Sequence, residues 1–205
     1  MNNRRDFLKQ TGVVFTGCCL APHAAMAQAR TRRRVSVGGA PVRTIDVHAH
    51  VIVPEATALY GVTTAATDTS VMAQARFDRM DGWGTDMQSL SINAVWYHLD
   101  RDVVTKVIQV QNEALASMCA KYPDRMVALA SVALQFPELA AQQLEEGVKK
   151  YNLRGAAIGG HVNGDELSSP KFDPFWRKAE ELGCLIFMHP QGIPELDKRL
   201  AGRVG

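Results

Sequence analysis

The sequence predicts an α/β fold of parallel strands joined by right-handed crossovers. Two observations carry this. Five strand-like apolar runs alternate with four helical patterns from residue 44 onward, and every histidine in that region falls at or just beyond the C-terminal end of a run. Such an order fits an α/β barrel or an open doubly wound sheet. No glycine-rich phosphate fingerprint follows any strand, which disfavours a dinucleotide-binding sheet.

Residues 44–50 read as the first strand, with Ile45 and Val47 supplying strand character; alternation then puts Asp46, His48 and His50 on one face. An irregular segment containing Pro54 and Gly61 follows. A helix is expected near 70–80, capped by Asp68 or Ser70 and broken by Asp81-Gly82-Trp83-Gly84. The second strand falls at 87–95. The helix over 102–121 rests on the spacing of Val103, Val107, Val110, Leu115 and Met118. A strand at 126–132 precedes a helix at 137–150, where Pro137 suits the first turn. Strand 153–158, helix 174–182 and strand 184–188 complete the order.

Composition is that of an ordinary globular chain: 205 residues, 46% hydrophobic and 21% charged, with a formal net charge of +2. The charge is unevenly placed. Residues 1–34 carry seven Lys or Arg against the single acid Asp6, leaving 16 basic and 20 acidic residues and a net −4 in the remainder. A nucleic-acid partner finds no support in so acidic a body.

The first 27 residues read as an export signal. Asn3-Arg4-Arg5-Asp6-Phe7-Leu8-Lys9 has the twin-arginine pattern, residues 11–21 form a short apolar core, and Ala25-Met26-Ala27 fits a small-residue cleavage site. Engagement of the export machinery and a periplasmic location are therefore expected; lipoprotein processing at Gly17-Cys18, giving a membrane-anchored product, is the alternative. Residues 28–43 read as a solvated linker and 44–205 as the folded domain. Beyond the signal only Cys119 and Cys184 remain, both at apolar positions, so the sequence expects small buried hydrophobes and no disulfide framework.

The histidines carry the chemistry. His48 and His50, two residues apart on a strand, can hold one metal ion but need a further ligand, and His189 at the end of the last strand offers it. Imidazole suits zinc and several other divalent first-row metals. Barrel enzymes place their sites at this end of the strands. His98 and His161 follow the second and fourth strands, and each reads either as a hydrogen-bonded loop residue or as a substrate contact.

Asp46-Val47-His48-Ala49-His50, Arg79-Met80-Asp81 ahead of residues 86–91, residues 155–163, Phe172-Asp173-Pro174 and Phe187-Met188-His189-Pro190 together resemble the amidohydrolase superfamily over about residues 44–200. The branch resembled is that of aminocarboxymuconate-semialdehyde decarboxylase and related aromatic-acid decarboxylases. The resemblance implies a (β/α)8 TIM barrel, of which about the first five βα units are present. It also implies one catalytic divalent metal, usually zinc, with His48, His50 and His189 matching the family's ligands. The implied substrate is a small carboxylic acid, and decarboxylation comes first among reactions, ahead of hydrolysis of a C–C or amide bond. Gln191 departs from the pattern, standing where that decarboxylase has tryptophan.

The family's acid/base histidine and metal-binding aspartate belong to later strands. After His189 the sequence has sixteen residues with no histidine, and Asp197 is the one aspartate among them. The sequence therefore expects a truncated barrel whose catalytic acid/base group is unknown. A non-catalytic remnant that binds metal or a partner chain is the reading from another class. Open strand edges lead us to expect association with another copy or a complementing fragment.

Overall fold

The computed structural model describes residues 32–63 and 72–190. The expected export signal, the start of the linker, the cap candidates Asp68 and Ser70, and Gln191 and Asp197 lie outside these residues. In chain order the elements are β1 (Val35–Val37), β2 (Ala40–Val42), β3 (Ile45–His50), α1 (Pro54–Ala58), α2 (Gln74–Trp83), β4 (Met87–Ser91), α3 (Arg101–Lys121), β5 (Met126–Ala128), α4 (Pro137–Lys149), β6 (Gly155–Gly159), β7 (His161–Val162), β8 (Asp165–Glu166), α5 (Asp173–Leu182) and β9 (Leu185–His189).

Parallel pairing joins β3 to β4 and β4 to β5, and separately β6 to β9. A parallel bridge between Ala130 and Ala156 connects the two groups, reinforced by Ala130 N–H on the Gly155 carbonyl and Ala157 N–H on the Ala130 carbonyl. Among the described residues the result is five parallel strands in sequence order, β3-β4-β5-β6-β9, with α1 and α2 in the first crossover and α3, α4 and α5 in the other three, as the alternation of the sequence requires.

The core lies between this arc and its helices. Val104 and Ile108 of α3, Leu144 of α4 and Phe175 of α5 meet Ile158 of β6 and the fully buried Trp96. Met80 of α2 and Leu115 of α3 cover Leu90 and Ala128. Gly155 is where the sheet needs glycine: at φ 141° its backbone passes so close to β9 that a Cβ would stand 1.7 Å from the Leu185 carbonyl oxygen. At the two outer strands of the described arc, Ile45 and Val47 of β3 and Leu185 and Met188 of β9 are exposed.

Several boundaries differ from the sequence reading. The 28–43 segment, read as a linker, contains the β1–β2 hairpin, because Gly38 and Gly39 both take the positive φ that a two-residue hairpin turn demands. Helix α2 runs through Gly82 to Trp83 and stops where Gly84 adopts the left-handed conformation at φ 76°. A Cβ at Gly82 meets nothing within 4 Å, so no close contact requires glycine at that helical position. Short helix α1 and hairpin β7–β8 were not anticipated. Cys119 and Cys184 are half-buried free thiols rather than core residues, and burial pushes the Cys119 thiol up to about 11.

Candidate metal centre

The arc curls far enough to bring the end of β9 opposite the end of β3. His50 Nε2 lies 2.8 Å from His48 Nε2 and 3.1 Å from His189 Nε2, and the three residues' ligating atoms all fall within 4.8 Å of one another. Ring nitrogens at these distances share either a proton, one Nε2–H donating to a neighbour's lone pair, or a cation. Their spacing suits one shared ion, for which zinc–imidazole bonds of about 2.0–2.1 Å are usual.

A β-bulge aims these rings. Asp46 pairs with Gln88 and Ala49 with Leu90, so β3 spends three residues where β4 spends two. The parity of β3 therefore changes between Asp46 and His50. This corrects the expectation that Asp46 shares a face with both histidines. Asp46 instead turns toward the helix-covered side, where its carboxylate accepts from Gln88 Nε2 at 3.0 Å and from the His48 backbone N–H at 3.1 Å. Asp46 thus closes the bulge, a local side-chain-to-backbone bond two residues on.

Arg76 of α2 locks the same region. Only 5% exposed, it donates through Nη1 to Gln88 Oε1 at 2.7 Å and through Nη2 to the His50 carbonyl at 2.5 Å. Ser91, paired with His50 across the sheet, places Oγ 3.2 Å from His50 Nδ1. With Nδ1–H donated to that oxygen, the Nε2 lone pair of His50 faces the other two rings. Burial, then the neighbouring His189 and His48, hold the His50 pKa below its ordinary value, with a hydrogen bond to the Ser91 backbone opposing them. His50 is accordingly neutral, and competent as a ligand, at neutral pH. Phe187 packs edge-on against the His48 ring at 5.3 Å. Nδ1 of His189 is buried without a hydrogen-bond partner among the described residues.

The other two sequence candidates stand outside this cluster. His161 begins β7, and its Nδ1 accepts the Gly164 N–H at 3.1 Å, so it serves its own turn. His98 is exposed and borders a cavity of about 590 Å³ that also touches His50, Ile92, Val95 and Gln111. Sequence reasoning missed Arg76, Gln88, Ser91 and Gln111. For Gln111 a signal existed: it is a polar residue inside the apolar stripe of α3, directly after Val110. Tyr97 was missed as well. Its hydroxyl accepts the Gly159 N–H at 3.0 Å, tying the loop after β4 to the end of β6, and burial pushes its pKa to about 12.

The family model described as Amidohydrolase matches residues 45–203. Gamma-resorcylate decarboxylase from Rhizobium radiobacter is 32% identical over 133 residues, 61% of this chain and 41% of that protein. The crystal structure of 2,6-dihydroxybenzoate decarboxylase complexed with 2,6-dihydroxybenzoate superposes with a TM-score of 0.65 at 25% identity, covering 79% of this chain and 55% of the other. That of 5-carboxyvanillate decarboxylase from Novosphingobium aromaticivorans, complexed with manganese and 4-hydroxy-3-methoxy-5-nitrobenzoic acid, shares the fold with a TM-score of 0.71 at 21% identity, covering 85% and 57%. The chain thus spans less than half the length of the curated relative and a little over half that of the solved structures.

Proposed function

This chain belongs to the amidohydrolase family, and from that membership we propose that the protein is a metal-dependent decarboxylase acting on an aromatic or unsaturated carboxylic acid. The observation that carries the reading is the convergence of His48, His50 and His189 from two strand ends. The donor set fits a single divalent ion. Three imidazoles suit zinc, and manganese, held by the 5-carboxyvanillate decarboxylase, is the other candidate. When bound, such an ion supplies a Lewis acid that holds and polarises an oxygen of the substrate.

The remaining work falls to the chain's own side chains. His50 stays neutral through burial and through its two imidazole neighbours, so its Nε2 lone pair is available. Ser91 Oγ fixes the ring's orientation, and Arg76 pins the backbone that carries it. Asp46 and Gln88 hold the bulge that turns both rings inward. Phe187 shields one side of His48 and leaves its Nε2 toward the centre.

The test is a titration of the purified protein with Zn²⁺ and Mn²⁺, followed by incubation of the loaded protein with 2,6-dihydroxybenzoate and detection of the decarboxylated phenol. A His48→Ala/His50→Ala variant is the control. Equal metal binding by the two proteins overturns the site. A loaded protein that cleaves amide bonds but releases no carbon dioxide favours hydrolysis instead.

For localisation we propose that residues 1–27 direct twin-arginine export to the periplasm, on the strength of Arg4 and Arg5 before Phe7-Leu8-Lys9. Replacing both arginines by lysine should retain uncleaved precursor in the cytoplasm; unchanged periplasmic recovery refutes it.

A further inference from the structure

The β1–β2 hairpin contributes nothing to the metal centre, and its surface is unusual. Every residue from 36 to 43 is exposed, Val37 beside the turn to 67%. The base of the hairpin is anchored on both strands. Arg33 N–H donates to the Asp81 carbonyl at 3.0 Å, Thr44 N–H donates to Asp86 Oδ2 at 2.7 Å, and Arg32 pairs with Asp86. The turn is open: a Cβ at Gly38 or Gly39 would meet no atom within 4 Å. Pairing sets Val35 against Val42 and Val37 against Ala40, so alternation gathers these four apolar side chains on one face of the hairpin.

Charge surrounds that face. Residues 32–43 hold four arginines and no acid, although the chain after residue 34 carries a net −4. Arg32 meets Asp81 and Asp86, whereas Arg33, Arg34 and Arg43 form no ion pair with a described carboxylate. The register carried one step past Val35 and Val42 sets Arg34 opposite Arg43, and both border a cavity of about 550 Å³ at the foot of the hairpin. Two carboxylates share this cavity: Asp86, already held by Arg32 and the Thr44 N–H, and Asp124. Like charges directly opposite on paired strands are destabilising, so the two guanidiniums point to a counter-charge from outside the chain.

An exposed valine beside unpaired arginines matches an anionic bilayer surface, which offers phosphates to the guanidiniums and an apolar boundary to the valine. A nucleic acid would satisfy the charge but leave Val37 in water, and the net-negative body would oppose it. Among the described residues no helix is long and apolar enough to cross a membrane, so the contact is peripheral. The export signal proposed above ends at residue 27, just ahead of Arg32, and a membrane is where it would deliver this face.

We propose that the β1–β2 hairpin docks the protein on an anionic phospholipid surface, with Val37 and Ala40 entering the headgroup boundary and Arg33, Arg34 and Arg43 meeting lipid phosphates. This docking is independent of what the metal centre catalyses.

The experiment is co-sedimentation of the full chain with vesicles of phosphatidylcholine alone and of phosphatidylcholine mixed equally with phosphatidylglycerol. Binding should be tighter on the mixed vesicles and should fall as salt shortens the screening length from about 10 Å at 0.1 M to about 3 Å at 1 M. Arg34→Ser/Arg43→Ser should weaken binding to the mixed vesicles about 25-fold, at about fivefold per charge near the surface. Arg34→Lys/Arg43→Lys should stay within about threefold of the parent, because a lipid surface reads charge rather than the guanidinium fork. Val37→Asp should weaken binding at least about fivefold. All three positions are exposed, so the urea midpoints of the variants should match the parent's, and any loss then reports contact rather than folding. Full-strength binding by the serine pair overturns the inference and assigns the vesicle contact to the export signal. Loss of binding by the lysine pair, with displacement of the parent by millimolar inorganic phosphate, overturns it in favour of a small-anion site. A Val37→Asp chain that turns from oligomer to monomer while binding vesicles as before overturns it in favour of a contact between copies.

Discussion

Replacing Arg76 tests whether the bulge is what aims the metal-binding rings. Arg76→Met keeps much of the side chain's length and removes its guanidinium. Its hydrogen bonds to Gln88 Oε1 and to the His50 carbonyl go with it, and the half-buried Asp46 carboxylate, paired with Gln88, loses the nearby positive charge. Hydrogen bonds involving a charged group contribute about 1.5–3 kcal/mol each, and leaving one member of a buried charged network behind costs about 3–5 kcal/mol. Against these stands the desolvation of the arginine itself, which burial makes large enough to lower its pKa. The net expectation is a destabilisation of about 2–4 kcal/mol in urea unfolding. A second readout separates positioning from bulk stability. Released from its clamp, His50 should lose alignment, and loss of such supporting contacts typically weakens metal affinity about 10–100-fold. Arg76→Lys retains the charge but not the forked geometry, so it should rescue part of the stability and little of the affinity. A Met variant that unfolds within about 0.5 kcal/mol of the parent and binds Zn²⁺ as tightly refutes the clamp.

Further outcomes follow from the same geometry. His50 is held below its ordinary pKa of 6.5, so the unfolded chain takes up a proton that the folded chain refuses. Its contribution to the stability of the metal-free protein is therefore full above about pH 6.5 and declines as pH falls from there to the folded-state pKa. Urea midpoints measured in EDTA should show this slope, and His50→Gln should flatten it. Gly155→Ala forces a Cβ onto the Leu185 carbonyl at an unfavourable φ, and strain and overpacking together should cost at least about 3 kcal/mol by thermal unfolding and displace His189 enough to weaken Zn²⁺ binding. Tyr97→Phe leaves the Gly159 N–H without its acceptor and should cost about 1–3 kcal/mol by the same assay, with metal affinity unchanged. The exposed Ile45, Val47, Leu185 and Met188 on β3 and β9 should make the purified 205-residue chain self-associate. Light scattering after size exclusion should give a mass above that of the monomer, and a monomer at tens of micromolar would count against it.

What the sequence disclosed, and what it withheld, divides along the line between local pattern and register. The order of strands and helices was legible because each element carries its own periodicity, and Pro137 marked the start of α4 to the residue. The histidine trio was legible for a related reason. His48 and His50 keep the spacing of two, and His189 closes a strand whose end must face the same rim in any right-handed parallel arrangement. Asp46 shows where that logic stops. Its spacing from His48 and His50 is the same, yet the extra residue of the bulge turns it to the other side of the sheet, and only pairing with Gln88 and Leu90 reveals the extra residue. Arg76 was hidden for a different reason. Helix α2 carries Arg76 and Arg79 one turn apart, and nothing in their sequence context says that one of them is buried beneath a strand carbonyl while the other lies over the Trp83 ring. The unread features share a cause, since each depends on a contact between segments distant in the chain. Gln111 lies between the two cases: the break it makes in the apolar stripe of α3 is local, but whether a buried amide is satisfied, as Asn112 is by Ser131, depends on what stands opposite. A polar residue interrupting a core-facing stripe is therefore worth asking about before the fold is known, and the fold supplies the answer by showing whether a partner stands opposite it.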